Sequence, residues 1–203
     1  MNMKKPLSSI HMKFTKGFSL LEVLIALIVL SIGLLGIAGL QVTSKQTNFD
    51  AIQRTTATML AQDLIERMRA NPDQLAVYHN AGVGFTFTPA SGITTAATNC
   101  ASATCTPANL ALYDMYEWER AILGVAELSA TNTNTGGLVS PTACISVPAG
   151  SPAGTISVAI AWRGLVKLTN PGIDACGSAT GLYDDTGGDN AYRRVIVVHT
   201  FID

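Results

Sequence analysis

The sequence predicts an α+β fold, a long N-terminal helix packed on a small antiparallel β-sheet. Three observations predict it. From Phe18 to Leu40 run 23 residues of which only Ser19, Glu22 and Ser31 are polar. From Gln41 onward apolar residues keep recurring at helical spacing, with no glycine or proline before Pro72. Near the other end of the chain, "TISVAIAWRG" and "YRRVIVVHTFI" read as strands.

The first seventeen residues hold Lys4, Lys5, Lys13 and Lys16 and no acid. The apolar run that follows is long enough, at about 1.5 Å per residue, to cross a bilayer core of about 30 Å. The lysine-rich side is expected to stay in the cytoplasm, so the rest of the chain crosses to the far side. One residue breaks the pattern. Glu22 is the only charged group in the run, and an acid in a spanning helix costs about 2.5–3.5 kcal/mol.

Beyond Leu40 the helix is expected to turn amphipathic. Phe49, Ile52, Leu60, Leu64 and Met68 fall near one face, with Ala57, Ala61 and Ile65 beside them. Arg67 and Arg69 suit the negative pole of the helix dipole. Asn71-Pro72 is a stop, because the residue before proline is pushed out of the helical region. One helix from about Ser19 to Ala70 would be about 80 Å long.

The domain that follows is expected to cover the amphipathic stripe. Residues 79–112, rich in Gly, Ala, Ser and Thr, read as a surface loop, and 112–128 as a short helix with Met115, Trp118, Ile122 and Leu123 on one face. "ACISVP" is a short strand. In the next, Ile156, Val158, Ile160 and Trp162 alternate with Ser157, Ala159, Ala161 and Arg163. The last strand, apolar on both faces from Val195 to Val198, is expected to lie sandwiched in the core. A Gly- and Asp-rich loop, Thr169 to Asn190, joins these two. The predicted organisation is a leader at 1–17, a helix at 18–71 whose part 18–40 crosses the membrane, and an exported α+β domain at 72–203.

Composition excludes several functions. The 203 residues carry 13 basic and 14 acidic groups, and without the leader lysines the net charge is −5. That balance is a poor footprint for nucleic acid. All four cysteines, Cys100, Cys105, Cys144 and Cys176, lie in the exported part, where an even count favours two disulfides. Of three possible pairings, Cys100–Cys105 with Cys144–Cys176 is expected, the first a small ring and the second a tie between a strand and a later loop. His11, His79 and His199 are too scattered for zinc, and Gly-x-Ser-x-Gly, phosphate-loop and His-Glu-x-x-His motifs are absent. No enzymatic role and no cofactor are expected. Asp184, Asp185 and Asp189 in "DDTGGDN" offer oxygen ligands at a spacing that suits calcium, though without an EF-hand pattern. The plainer reading of that loop is a solvated acidic turn.

A cleavable secretory signal or a plain signal anchor leaves Glu22 without a use. A third reading gives it one. "KGFSLLEVLIALIVLSIG" resembles the class III signal of type IV prepilins: a basic leader ending in glycine, a Phe, a glutamate at the fifth position after cleavage, then a long apolar helix. The resemblance implies a type IV pilin-like fold, cleavage between Gly17 and Phe18 by prepilin peptidase, and N-methylation of Phe18. It also implies that Glu22 meets the new amine of its own or a neighbouring subunit. An ammonium and a carboxylate in low dielectric offset part of each other's desolvation, so Glu22 would mark register during assembly.

Further along, "SIGLLGIAGLQ", "MRANP", "YEWERAI" and "VAIAWRG" are similar to PilV-type minor pilins. Major pilins commonly carry a proline where this chain has Gly39. Gly33, Gly36 and Gly39 recur every three residues instead, which would let the helix loosen or let helices approach closely. The resemblance implies a subunit of a priming or tip complex supporting pilus assembly, twitching motility and adhesion. Its partners would be other minor pilins, the major pilin and the inner-membrane assembly platform. It would start in the bacterial inner membrane as a single-pass protein with a periplasmic domain, and reach the surface in the pilus. A minor pseudopilin of the type II secretion system shares the same signal and is the nearest alternative. A membrane-anchored periplasmic enzyme and a DNA-uptake pilin are more distant ones.

Overall fold

The computed structural model describes residues 17–79, 85–87, 96, 98–127, 130, 134, 136–147 and 150–203. The leader lysines and most of the 80–97 loop lie outside the described residues. Helix α1 spans Leu20–Ala70, and the chain divides into two compact units between Ser44 and Lys45.

In the first unit no described residue packs on α1 from outside the helix. The large apolar side chains from Phe18 to Val42 are all exposed, the least of them, Val23, at 47%. The second unit begins in the other half of α1 and builds the core. There Gln53, Ala57, Ala61, Leu64, Ile65 and Met68 are buried. The stripe differs from expectation at one place: Ile52 is 55% exposed, and Gln53 faces inward instead. Its side-chain amide donates to the carbonyl of Gly137 and its Oε1 accepts from the Val139 N–H, satisfying both polar ends.

After α1 the chain makes a 3₁₀ turn at Pro72–Gln74 and a one-turn helix α2, Leu75–His79. Helix α3 is Pro107–Leu123, starting five residues before the expected Leu112. The reason is local. Thr106 accepts from the Asn109 N–H, and Pro107 sits in the first turn, where its missing N–H costs nothing. Gly124 ends the helix at φ +64°, and a Cβ there would lie 2.0 Å from the Gly136 backbone. Trp118 is buried, and its indole N–H donates to the Leu60 carbonyl of α1 at 2.8 Å.

Strands β2 (Thr142–Ser146), β3 (Thr155–Arg163) and β4 (Arg193–Phe201) form an antiparallel meander, and the three-residue β1 (Phe85–Phe87) adds to β2. The register Ile145↔Val158↔Val198 and Ala143↔Ile160↔Ile196 puts one apolar face of the sheet into a common core with Leu64, Met68, Met115 and Trp118. The sandwiched strand is β3, not β4. All but the end residues of β3 are buried, whereas β4 is an edge strand and Val195, Val197 and Val198 are only half-buried. The small residues opposite the core face decide this. Ala159 and Ala161 leave room for the 164–192 loop, whose Cys176 and Tyr183 cover them.

Candidate functional site

The sequence points first to the head of α1. Gly17 and Phe18 precede the helix, and Phe18 is 83% exposed. The Ser19 carbonyl accepts from the N–H groups of Glu22 (3.0 Å) and Val23 (3.2 Å), so the helix starts at Leu20, directly after Ser19. Glu22 therefore stands in the first turn, where a carboxylate complements the helix dipole. It is exposed like its neighbours. The dipole alone is worth about 0.3–1 kcal/mol, less than the cost of an acid in lipid. A partner cation would close that gap.

The three glycines of this segment are open. A Cβ at Gly33, Gly36 or Gly39 would meet nothing within 4 Å, and α1 runs through all three without a break. No packing among the described residues requires their small size. What they spare is space for a surface outside it, or helix stiffness.

In the second unit the cysteines are joined as Cys100–Cys105 and Cys144–Cys176, with Cα separations of 5.6 and 5.8 Å. The second bridge fixes one end of a loop that two arginines hold in place. Arg193, buried, donates to the carbonyls of Pro171 (2.6 Å), Asp174 (2.7 Å) and Cys176 (2.7 Å) and to the Asn170 side chain (2.9 Å). Burial pushes its pKa down, and Asp174 works against that. Arg194 donates to the Val166 carbonyl and pairs with Asp50 at 3.5 Å. Below them the Tyr183 hydroxyl lies 2.8 Å from Thr142 Oγ1 and 2.9 Å from the Ser140 carbonyl. Burial raises this phenol to about 12, with the Thr142 contact and Arg193 opposing.

The acidic loop is internally committed. Asp184 accepts from the Asn190 N–H, Asp189 from the N–H groups of Asp185 and Ala191, and Asp185 pairs with Lys167. Those backbone bonds hold Asp189 below the usual carboxylate range. Among the described residues no three His, Cys, Asp or Glu side chains gather as a metal site.

Sequence reasoning missed Arg193, Tyr183 and Asp114. Asp114 is buried on α3, accepting from Tyr78 at 2.5 Å and from Arg67 at 3.1 Å. Burial and this carboxylate push the Tyr78 phenol upward. A signal for it existed: Asp114 falls on the stripe of Ala111, Trp118 and Ile122, an acid where the helix is apolar. Arg193 had none, because an arginine at a strand end reads as solvated.

Two family models match the chain. One, described as type IV pilin Tt1218, matches residues 39–116, and one for the prokaryotic N-terminal methylation motif matches residues 12–38. They meet without a gap and together span about half of the chain. No curated protein and no solved structure gives a match. The methylation motif contains Gly17, Phe18 and Glu22 and is consistent with membrane anchoring, and it implies processing by a prepilin peptidase and assembly with other pilins. With that signal running directly into a pilin segment, and with a long helix packed on a small antiparallel sheet, the chain belongs to the type IV pilins, in the broad sense that takes in pseudopilins.

Proposed function

We propose that the chain is a PilV-type minor pilin, a non-enzymatic subunit that primes or tips a type IV pilus and so serves twitching motility and adhesion. One observation carries the reading: a half-helix that exposes every large apolar side chain and holds a single carboxylate, Glu22. Lipid satisfies the apolar surface before assembly, but the acid needs an amine, its own or that of a neighbouring subunit. Prepilin peptidase would cut after Gly17, leaving residues 18–40 as the single inner-membrane span and 72–203 as the periplasmic domain. Two disulfides suit that oxidising compartment. Gly39 in place of the proline common in major pilins supports the minor class. The other minor pilins, the major pilin and the assembly platform are the partners.

Mass spectrometry of sheared surface pili tests this. The expected result is a substoichiometric chain beginning at methylated Phe18. Recovery only from a periplasmic pseudopilus would assign it to type II secretion, and an intact Met1 or a start near Gln41 would reject the processing.

A further inference from the structure

Strand β4 bounds the sheet on one side with a nine-residue edge, and β1 bounds it on the other with three residues. Just beyond the two ends of β4, the Ile202 N–H donates to the Gly154 carbonyl and the Tyr192 carbonyl accepts from the Gly164 N–H. The register between these points is unbroken, so the even-numbered residues of β4 exchange hydrogen bonds with β3. The N–H and C=O groups of Val195, Val197 and His199 point away from the sheet, with no backbone partner among the described residues. Protein edges are usually guarded by proline, lysine, a bulge or shortness. β1 is short, whereas β4 is long, holds no proline or lysine, and pairs without a bulge. Its two arginines stand at one end, where carbonyls of the neighbouring loop hold their guanidinium groups. Its sequence is that of an inner strand, apolar on both faces from Val195 to Val198. His199 is exposed beside this edge, and Phe201 is 52% exposed.

We propose that the β4 edge pairs, antiparallel, with the opposite sheet edge of a neighbouring pilin subunit, so that one sheet continues into the next. The inference rests on the pilin-assembly reading above and adds the surface and the partner's element. The backbone specifies the class of occupant, because a row of alternating N–H and C=O groups is matched in register only by another extended chain. Chain direction specifies the edge. Within the second unit α1 runs in the same sense as β4, with Asp50 beside Arg194 and Arg69 beside Thr200. The strands alternate in direction across the sheet, so β1 runs opposite to β4. Pairing β4 with the β1-side edge of a subunit of this topology leaves both helices pointing the same way, as anchoring in one membrane requires. An antiparallel β4–β4 pair would reverse one helix. A head-to-tail contact of this kind repeats from subunit to subunit, which is the geometry of a filament.

The test uses the full-length chain in pilus-forming cells. His199→Pro removes an outward N–H at an exposed position and leaves the bonds to β3 in place. Val197→Lys puts a charge on the same edge. Both variants are expected to keep a urea midpoint close to wild type. Their share in sheared pili should fall about tenfold, the size of about one backbone hydrogen bond. Val198→Pro, which removes a donor to β3, should instead lower the midpoint. A photocrosslinker at His199 should trap a peptide from the first-strand region of a pilin subunit. Wild-type incorporation of either edge variant would overturn the proposal, as would a crosslink to lipid alone or to β4 of a second copy. If the wild-type chain is itself missing from pili, it is the assembly reading that fails. The same crosslink in membranes then decides the pairing, and its absence there would overturn it.

Discussion

Two stretches of one helix, Leu20–Ser44 and Lys45–Ala70, obey the same backbone rules and meet opposite fates. In the first every large apolar side chain is exposed, while in the second six residues are buried against α3 and the sheet. The difference is not propensity, since the first stretch carries three glycines and a Glu and still stays helical. It is patterning. An all-round apolar surface leaves no preferred face for a sheet, whereas a stripe of Ala57, Ala61, Leu64 and Met68 selects one. The first stretch therefore depends on surroundings outside the chain, and the second makes its own.

The comparison breaks most sharply at Glu22. Glu22→Ala should leave membrane insertion and leader removal intact, since it removes a costly group from the apolar segment and leaves Gly17 and its lysines unchanged. Assembly should fail, because deleting one partner of a buried ion pair costs about 3–5 kcal/mol. Immunoblots of membranes and of sheared pili read both effects. Wild-type amounts in pili would show that the acid does not set incorporation.

Arg193 sharpens the other side. Arg193→Met keeps bulk but leaves three carbonyls and the Asn170 side chain without their donor, so the domain should lose about 3 kcal/mol, read as a lower urea midpoint. Membrane insertion should be unchanged. An unaltered midpoint would mean that the loop does not depend on this residue.

Tyr183 gives a smaller effect with a defined pH window. Its phenol is pushed up to about 12, so the folded state favours the neutral form. The stability that goes with it is fully present below the ordinary value near 10 and is lost as pH rises from there toward 12. Tyr183→Phe should cost about 1–2 kcal/mol at neutral pH and flatten the alkaline decline in stability. An equally steep decline would place its origin elsewhere.

Much of this was legible in the sequence, for physical reasons. The limits of α1 followed from an apolar run, a helical stripe and Pro72, all local signals. Strand β3 was read from alternation, and β4 from a run apolar on both faces. What failed was non-local. Which strand lies innermost depends on what covers the far face, and the covering group, the 164–192 loop with Tyr183, has no periodicity to read. Ile52 and Gln53 are adjacent in sequence but point about 100° apart round the helix, and which of them turns inward rests on the carbonyl of Gly137, 84 residues away. For the head of α1 the motif carried the reading and the geometry added that Glu22 lies exposed in the first turn.

The chain from Lys45 onward is expected to fold by itself, and the segment before it to serve only anchoring and assembly. The direct measurement is denaturant unfolding of a fragment comprising residues 45–203, exported to an oxidising compartment and then expressed beside pilus-forming partners. The expected result is a soluble fragment with both disulfides, a single cooperative transition, and no recovery in sheared pili. An aggregated or non-cooperative fragment, or one that enters pili without residues 18–44, would contradict it.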